Sequence, residues 1–481
     1  MKPIKKLTSV FLVLFFTLLS GCNRITPTFP VENNKTINTP VFYGEFCNAQ
    51  RTSYKDVNGL KETPKAVWKY NSPEGTGNEA LLLVTNAPAI EGNRAYCASG
   101  SVITVIDIET GKEIWEKDYS KPSPRGEPSD YDSCFCNSPV IYKDKIVILA
   151  GDTNEFILVI DKNTGEPIWK SKGFMKDSSQ HPLIINGRIY LAATITESYK
   201  NNGESEAGIW VWDVNTGKVL NKISLEPVAK PIVGKYHSMW PAYASLAADG
   251  PNIYGATRFT NDSTYRTYIF CYNTARKEFT WFAPIEEGNV KNPGQIIRIA
   301  VNENFVAVSM VGDQWMGKEP QFFIKVFDKT SHKPLWQNTS KTIKKLNPVL
   351  SIGMFAMHND KLYAILFDKR FACFDMKSGN EIWSFKDKDW QSKWWNKWNG
   401  YENCFLENDV VVSKNAVYFN AGNAIYAINP ETGQLLWRKV VKKGNLFINI
   451  MPIDNGLIVR YQDIQIGYDT PQNSVTCELW R

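Results

Sequence analysis

Thiol and imidazole groups are the side chains of this sequence best suited to metal binding or nucleophilic chemistry, and they are thinly spread. Cys134 and Cys136 stand one residue apart, so the two thiols could bind a metal ion or form a disulfide. A metal site would need more ligands close by, and the nearest histidine is His181. The four histidines, at positions 181, 237, 332 and 358, show no catalytic spacing. We therefore predict no metal site and no catalytic residues.

The cysteine with the clearest chemical context is Cys22. A basic start, MKPIKK, precedes an apolar run at 10–20, which is too short to cross a bilayer core that needs about twenty residues. The stretch LSGC at 19–22 follows and resembles the bacterial lipobox, in which the cysteine is acylated and the preceding peptide is removed. We predict a lipoprotein signal peptide at 1–21 and lipidation of Cys22. An uncleaved anchor and an ordinary signal peptide are the alternatives.

Residues 22–64 are rich in Asn, Thr and Pro, and we predict a lipidated tether with little regular structure. Acyl chains on Cys22 would hold the protein to a membrane, since each buried methylene contributes roughly 0.8 kcal/mol. No later stretch of the sequence is long and apolar enough to span a bilayer.

Length and charge narrow the class of protein further. A chain of 481 residues is too long for one ordinary core, so it contains several domains or one repeat architecture. The net charge of +6 includes three lysines within the first six residues, and no basic patch or stripe follows them. We therefore expect no nucleic-acid binding.

A repeated phrase dominates the rest of the chain: Asp or Asn at the end of an apolar run, Gly four residues on, and Trp eight residues on. Examples are DIETGKEIW at 107–115, DKNTGEPIW at 161–169, DMKSGNEIW at 375–383 and NPETGQLLW at 429–437. We count eight copies at a period of about 50 residues. The first residues of the copies are Asp107, Asp161, Asp213, Asn273, Asp328, Asp375, Asn429 and Asp469.

Each copy is predicted to be a β-hairpin, because strand-forming residues precede a turn. The Asp or Asn side chain can accept a hydrogen bond from a turn amide, and Gly allows the positive φ that reverses the chain. The turn glycines are Gly111, Gly165, Gly217, Gly379 and Gly433, and the tryptophans are Trp115, Trp169, Trp281, Trp336, Trp383 and Trp437. We interpret the tryptophans as packing between repeats, although a row of Trp can also stack on a sugar or cofactor.

A second hairpin precedes each copy, so every repeat of about 52 residues holds four antiparallel strands, named A to D. Eight such repeats predict an all-β fold, an eight-bladed β-propeller over 65–481, because one blade cannot bury both faces alone. We expect strands from both chain ends to close the ring. Trp68 lies in a sequence typical of an outer strand, and 475–480 is a second candidate for the outer strand of the last blade.

The phrase resembles the repeat of the PQQ-like β-propeller family over nearly all of 66–481. Quinoprotein dehydrogenases of this family use an adjacent Cys–Cys disulfide, a calcium site and a catalytic Asp. In this sequence a residue separates Cys134 from Cys136, and no set of calcium ligands is assignable, so we expect neither PQQ nor another cofactor. A lipobox, a short tether and eight repeats resemble instead the lipoprotein members that take part in outer-membrane protein assembly.

The remaining cysteines have mostly structural explanations. Cys97, Cys271 and Cys373 occupy apolar strand positions and are predicted to be small core residues. Disulfides would be possible in an oxidising compartment, and two pairs stay open as candidates. They are Cys47 with Cys477 and Cys134 with Cys136.

Loop lengths indicate where a ligand could bind. The A–B and C–D turns are short, whereas the long segments are all B–C or D–A connections, which leave the opposite face of the disc. These segments are 119–137, 196–208, 284–295, 310–321 and 386–404. The last contains four tryptophans out of register with the blades, Trp390, Trp394, Trp395 and Trp398.

Two interpretations of these tryptophans stay open. At helical spacing Trp390, Trp394 and Trp398 would share one face, so they could belong to a short helix packed on the propeller. They could instead anchor a partner chain, a glycan or a lipid headgroup.

From these observations we predict a noncatalytic, lipid-anchored scaffold that binds envelope proteins, with a role in outer-membrane protein assembly. We expect it in the cell envelope, at the outer membrane on the periplasmic side. A ligand- or glycan-binding lipoprotein and a PQQ-dependent dehydrogenase are the alternatives.

Overall fold

The computed structural model divides the chain into two compact units, Met1–Asn38 and Thr39–Arg481. The residues that the structure describes all lie in the second unit. They are 41–44, 47–72, 87–119, 138–150, 154–171, 174–175, 181–194, 207–233, 238–241, 245–261, 264–285, 295–311, 322–340, 355–366, 370–387, 395–398, 401–404, 410–421, 423–443, 446–463 and 475–481.

The second unit is an eight-bladed β-propeller, which confirms the predicted fold. Strands A to D of blade 1 are Ala89–Glu91, Arg94–Ser99, Val102–Asp107 and Glu113–Asp118; those of blade 2 are Val140–Tyr142, Lys145–Ala150, Asn154–Asp161 and Pro167–Lys170. Those of blade 3 are Leu183–Ile185, Arg188–Thr194, Ala207–Asp213 and Val219–Ser224; those of blade 4 are Ala247–Asp249, Asn252–Asn261, Thr264–Asn273 and Glu278–Pro284.

The second half of the ring repeats the plan. Strands A to D of blade 5 are Gln295–Val301, Phe305–Val311, Phe322–Asp328 and Pro334–Ser340; those of blade 6 are Phe355–His358, Lys361–Leu366, Arg370–Asp375 and Glu381–Phe385. Those of blade 7 are Val411–Val412, Val417–Ala421, Ala424–Ile428 and Leu435–Val440; those of blade 8 are Leu446–Ile453, Gly456–Asp463, Thr476–Trp480 and Ala66–Asn71.

A few elements lie outside the four-stranded plan. A helix, Glu226–Val233, lies between blades 3 and 4, and the short strands Phe174–Met175 and Ser238–Pro241 pair within blades 2 and 4. Trp395–Trp398 and Tyr401–Cys404 form a separate hairpin between blades 6 and 7. Among the helices of the described ranges, none has the length and apolar character needed to cross a membrane.

Blade 8 closes the ring with strands from both ends of the chain. Its strand C, Thr476–Trp480, pairs with Ala66–Asn71, which is its strand D. The prediction that Trp68 belongs to an outer strand is therefore correct, whereas placing 475–480 on the outer strand is wrong. The eighth copy of the phrase was misregistered for the same reason: Cys477 lies on strand C, and Asp469 lies outside the described residues.

The hydrophobic core consists of eight clusters, one between each pair of neighbouring blades. The phrase forms the C–D turn beside these clusters. In blade 1 the Asp107 carboxylate accepts hydrogen bonds from the Thr110 amide at 2.8 Å and the Thr110 hydroxyl at 2.7 Å, while the Gly111 amide donates to the Asp107 carbonyl. Each turn is thus held by its own first residue.

In six of the eight blades, the tryptophan of strand D contacts the C–D turn of the next blade. Trp383 of blade 6 donates its indole N–H to the Pro430 carbonyl of blade 7 at 3.1 Å, and its ring lies under Gly433. Gly433 has a φ of +71°, and a Cβ built there would lie 2.7 Å from the ring. Glycine is therefore required both by the backbone and by the tryptophan. The same pairing joins Trp68 to Gly111, Trp115 to Gly165, Trp169 to Gly217 and Trp336 to Gly379.

The two turns without glycine follow from this pairing. Blade 3 carries Asn221 in place of the tryptophan, and the turn of blade 4 that it faces has Lys277 at a φ of +58°. Blade 5 has His332, whose ring stacks on Trp281 of blade 4 with 4.7 Å between centroids. A residue other than glycine is thus accepted at this turn position in two cases. Lys277 meets no indole, and the His332 ring stacks on the indole.

The compact unit that contains the propeller begins earlier in the sequence than residue 65, where we predicted the propeller to start. Residues 41–44 and 47–64, which we assigned to the tether, lie in the same compact unit as the blades. Val41–Tyr43 pairs antiparallel with strand A of blade 2, and Arg51 and Ser53 are fully buried. The segment contacts the ring mainly through backbone hydrogen bonds, which composition does not reveal.

Candidate functional site

The segment 47–60, called the strap below, follows the inner strands of the propeller from blade to blade. The carbonyls of four strap residues accept hydrogen bonds from the inner strands of four consecutive blades, at 2.8–2.9 Å. The bonds join Ala49 to Ala248, Gln50 to Val301, Thr52 to Met357 and Ser53 to Val412. Because these partners lie in strand A close to the A–B turn, the strap lies at the short-turn end of the central channel.

Arg51 fixes the strap at its centre. Its guanidinium donates to the carbonyls of Leu246 at 3.1 Å, His181 at 3.0 Å and Pro182 at 3.1 Å. From blade 5, the buried Arg298 donates to the Arg51 carbonyl at 2.7 Å. Side-chain hydrogen bonds therefore join the strap to blades 3, 4 and 5, in addition to its backbone bonds to blades 4, 5, 6 and 7.

The end of the strap takes the place of the C–D turn of blade 8. That turn is missing because strands C and D of blade 8 come from opposite ends of the chain. The Trp437 indole of blade 7 donates to the Leu60 carbonyl at 2.9 Å, as the other tryptophans donate to the next C–D turn. Asn58 is joined to Asp454 and Asn455 of blade 8, and Gly59 donates to Asn415 of blade 7. The strap thus supplies the docking surface that a continuous C–D hairpin provides elsewhere.

In the part of the tryptophan-rich loop that the structure describes beyond residue 387, the chain forms strands and not the helix that one interpretation required. Trp395–Trp398 is a strand, paired with Tyr401–Cys404 in the register Trp395 to Cys404 and Trp398 to Tyr401. Residues four apart do not share a helical face there, so the helix interpretation is wrong for this part of the loop. Trp390 and Trp394 lie outside the described residues.

A turn signal in the sequence indicates this hairpin. Asn399–Gly400 stands between the two strands, and Asn-Gly between strand-forming residues is the strongest short-range hairpin signal. The hairpin is a sheet of its own, paired with no other strand in the described part of the chain.

The outer edges of the blades differ from this hairpin, because a β-bulge interrupts each one. In every strand D, the residue before the Trp position has no partner in strand C. Six of these bulged residues are exposed aliphatics: Val67, Ile114, Ile168, Leu220, Leu335 and Ile382. Bulges prevent further strands from pairing, so the blade edges are protected against strand addition.

Within the described ranges, no group of three or more His, Cys, Asp or Glu side chains could hold a metal ion. Cys22, Cys134 and Cys136 lie outside those ranges, as do most residues of the other long loops.

These features define a class of protein: an eight-bladed propeller of PQQ-like repeats, with an N-terminal strap across its channel. The family model described as outer membrane protein assembly factor BamB matches residues 32–223 and 320–449, which together are about two thirds of the chain. The chain belongs to this family of PQQ-like repeat propellers. It is also similar in fold to BamB from Moraxella catarrhalis, at a TM-score of 0.51 and 13% identity, over 87% of this chain and 100% of that one.

Enzymes of the same fold are also similar to the chain. Quinohemoprotein alcohol dehydrogenase from Comamonas testosteroni superimposes with a TM-score of 0.61 at 12% identity, over 92% of this chain and 80% of the enzyme. The 1-butanol dehydrogenase (cytochrome c) of Thauera butanivorans is 23% identical over 222 residues. That match covers 44% of this chain but 29% of the enzyme, so the chain spans less than a third of that relative.

Proposed function

We propose that the protein is a noncatalytic scaffold of the bacterial envelope, anchored through lipid on Cys22, with a BamB-like role in outer-membrane protein assembly. The family match over about two thirds of the chain is the observation that carries this proposal. The likeness to BamB from Moraxella catarrhalis over the whole of that chain supports it. We place the propeller at the outer membrane, facing the periplasm, where its partners are envelope proteins.

The hairpin formed by Trp395–Trp398 and Tyr401–Cys404 is the element best suited to hold such a partner. A two-stranded sheet is marginally stable alone, and its outer edges offer backbone donors and acceptors to another strand. Precursors of outer-membrane barrels are rich in strand-forming segments, which could extend the hairpin by main-chain hydrogen bonds. The blade edges are poorer docking sites because of their bulges.

Capture of partners from membranes tests the proposal. The lipidated protein is crosslinked in cells and purified, and barrel-assembly proteins or their precursors are quantified by mass spectrometry. Replacing Trp394, Trp395 and Trp398 together by Ser should abolish their capture and leave the melting temperature nearly unchanged. Ile114→Ser, at an exposed bulge of blade 1, is the matched control and should capture normally. Equal recovery from the triple variant would refute a role for the hairpin.

A quinoprotein dehydrogenase is the second candidate, because relatives with that activity are similar to parts of the chain. Quinoprotein ethanol dehydrogenase of Pseudomonas aeruginosa is 28% identical over 145 residues, which are 29% of this chain and 22% of the enzyme. The purified protein is incubated with PQQ and calcium and assayed for alcohol-dependent dye reduction. Turnover above that of a heat-denatured sample would overturn the noncatalytic proposal.

A further inference from the structure

The interface between blades 8 and 1 is the closing seam of the ring, and it contains three cysteines. Cys47, Cys97 and Cys477 are buried in one hydrophobic cluster with residues of both blades. Cys97 lies on strand B of blade 1, and Cys477 lies on strand C of blade 8. Cys97 and Cys477 are free thiols in this structure. The cluster therefore brings together thiols from nearly opposite ends of the sequence.

Two of these thiols, Cys97 and Cys477, lie in the same cluster on facing sides of the seam, and Cys477 is the main influence that lowers the pKa of Cys97. A hydrogen bond across the seam holds the two blades together beside these thiols. Arg460 is the residue directly opposite Cys477 in the sheet of blade 8. Its Nη1 crosses the seam and donates to the carbonyl of Ala98 at 3.0 Å, next to Cys97. Both sides of the seam are thus held in register at the thiol pair.

We propose that Cys97 and Cys477 form a disulfide across the closing seam when the protein folds in an oxidising compartment. The oxidant is a small or protein disulfide. The Cys97 thiolate attacks one sulfur of the oxidant, whose S–S bond breaks and releases one thiol, which takes the proton that Cys97 lost. Cys477 then loses its proton, attacks the Cys97 sulfur and displaces the second thiol, which takes that proton. Two cysteines lose two electrons, and one disulfide is reduced to two thiols.

Burial of the pair determines when this exchange can take place. Cys97 and Cys477 are only 4% and 3% exposed, so an oxidant cannot reach them in the closed ring. Exchange therefore precedes full docking of Thr476–Trp480 on the seam. The bond would then link strand C of blade 8 to blade 1, and this C-terminal strand is otherwise held there only by noncovalent contacts.

Peptide mapping of the refolded protein tests the proposal independently of its location in the cell. The chain is refolded with oxidised and reduced glutathione, unfolded, alkylated with N-ethylmaleimide and digested with trypsin. We expect peptide 95–112 linked to peptide 461–481. Linkage of peptide 36–51, which contains Cys47, to either of them would overturn the proposal, as would alkylation of both Cys97 and Cys477.

Matched variants and reduction kinetics complete the test. Cys47→Ala should keep the linked peptides, whereas Cys97→Ala should lose them. Reduction by dithiothreitol should be at least about 10-fold slower in the native protein than in urea, because the bond is buried in the seam. Reduction should also lower the melting temperature by roughly 5–10 °C, and Cys97→Ala should be insensitive to reductant. A melting temperature unaffected by reduction in the parent protein would contradict a disulfide that locks the seam.

Discussion

Gly433→Ala is the substitution that tests the blade-to-blade docking most directly. The new methyl group would lie 2.7 Å from the indole of Trp383, closer than any real Cβ contact, on a backbone with a φ of +71°. The left-handed backbone costs about 1–2 kcal/mol for a residue with a Cβ. Displacing a packed indole adds about 1–3 kcal/mol. We therefore expect a loss of about 2–5 kcal/mol in the free energy of unfolding.

Two matched controls separate these contributions. Gly92→Ala has the same kind of backbone, with a φ of +58°, but no atom within 4 Å of the new methyl group, so it should show the backbone cost alone. Lys277→Ala changes a side chain at the equivalent turn facing Asn221, and it should alter stability by less than about 0.5 kcal/mol. Urea unfolding followed by tryptophan fluorescence measures all three. If Gly433→Ala cost no more than Gly92→Ala, the indole contact would not constrain the turn.

Three further predictions concern the anchor, the strap and pH. Cys22→Ser should move the protein from the membrane to the soluble fraction, and retention on membranes in high salt would refute the lipid anchor. Arg51→Met should cost about 1–3 kcal/mol in chemical unfolding, because three buried carbonyls lose their donor, whereas the exposed Lys61→Met should be neutral. Burial lowers the pKa of His332 and of His358 below 6.5, so protonation favours the unfolded chain. Melting temperatures should fall as the pH drops below 6.5, and less so in His332→Gly; equal pH dependence in both proteins would contradict this.

The blades could be predicted from the sequence because their turns depend on side chains at fixed spacing. Within one turn, hydrogen bonds join Asp107 to Thr110 and Gly111, and Trp115 donates a hydrogen bond to the turn of the next blade. Each repeat therefore needs the same residue types at the same spacing. Glycine is replaced at Lys277, where no indole approaches. The recurrence of the phrase and the departures from it therefore both carry structural information.

The strap could not be predicted in the same way. The hydrogen bonds of the strap are accepted by backbone carbonyls, which every residue has, so no residue type marks them in the sequence. In addition, three residues that are not glycine adopt a positive φ: Cys47, Arg51 and Ser53. Tertiary contacts therefore impose this backbone against local preference. The eighth blade was misregistered because its strands C and D belong to opposite ends of the chain, which breaks the spacing on which the repeat count relied.

The order in which the N-terminal strands Val41–Tyr43 and Ala66–Asn71 find their partners has a consequence for the proposed export. Val41–Tyr43 can pair with Val140–Tyr142 after about a hundred further residues have emerged, but Asn71 must wait for Thr476, 405 residues later. If the chain is exported across a membrane as proposed, Ala66–Asn71 remains an unpaired strand until almost the whole chain has arrived. Such a strand is open to wrong pairing with other unfolded chains for the longest time. We expect a periplasmic chaperone to raise the yield of closed rings more by protecting 66–71 than by protecting any other strand.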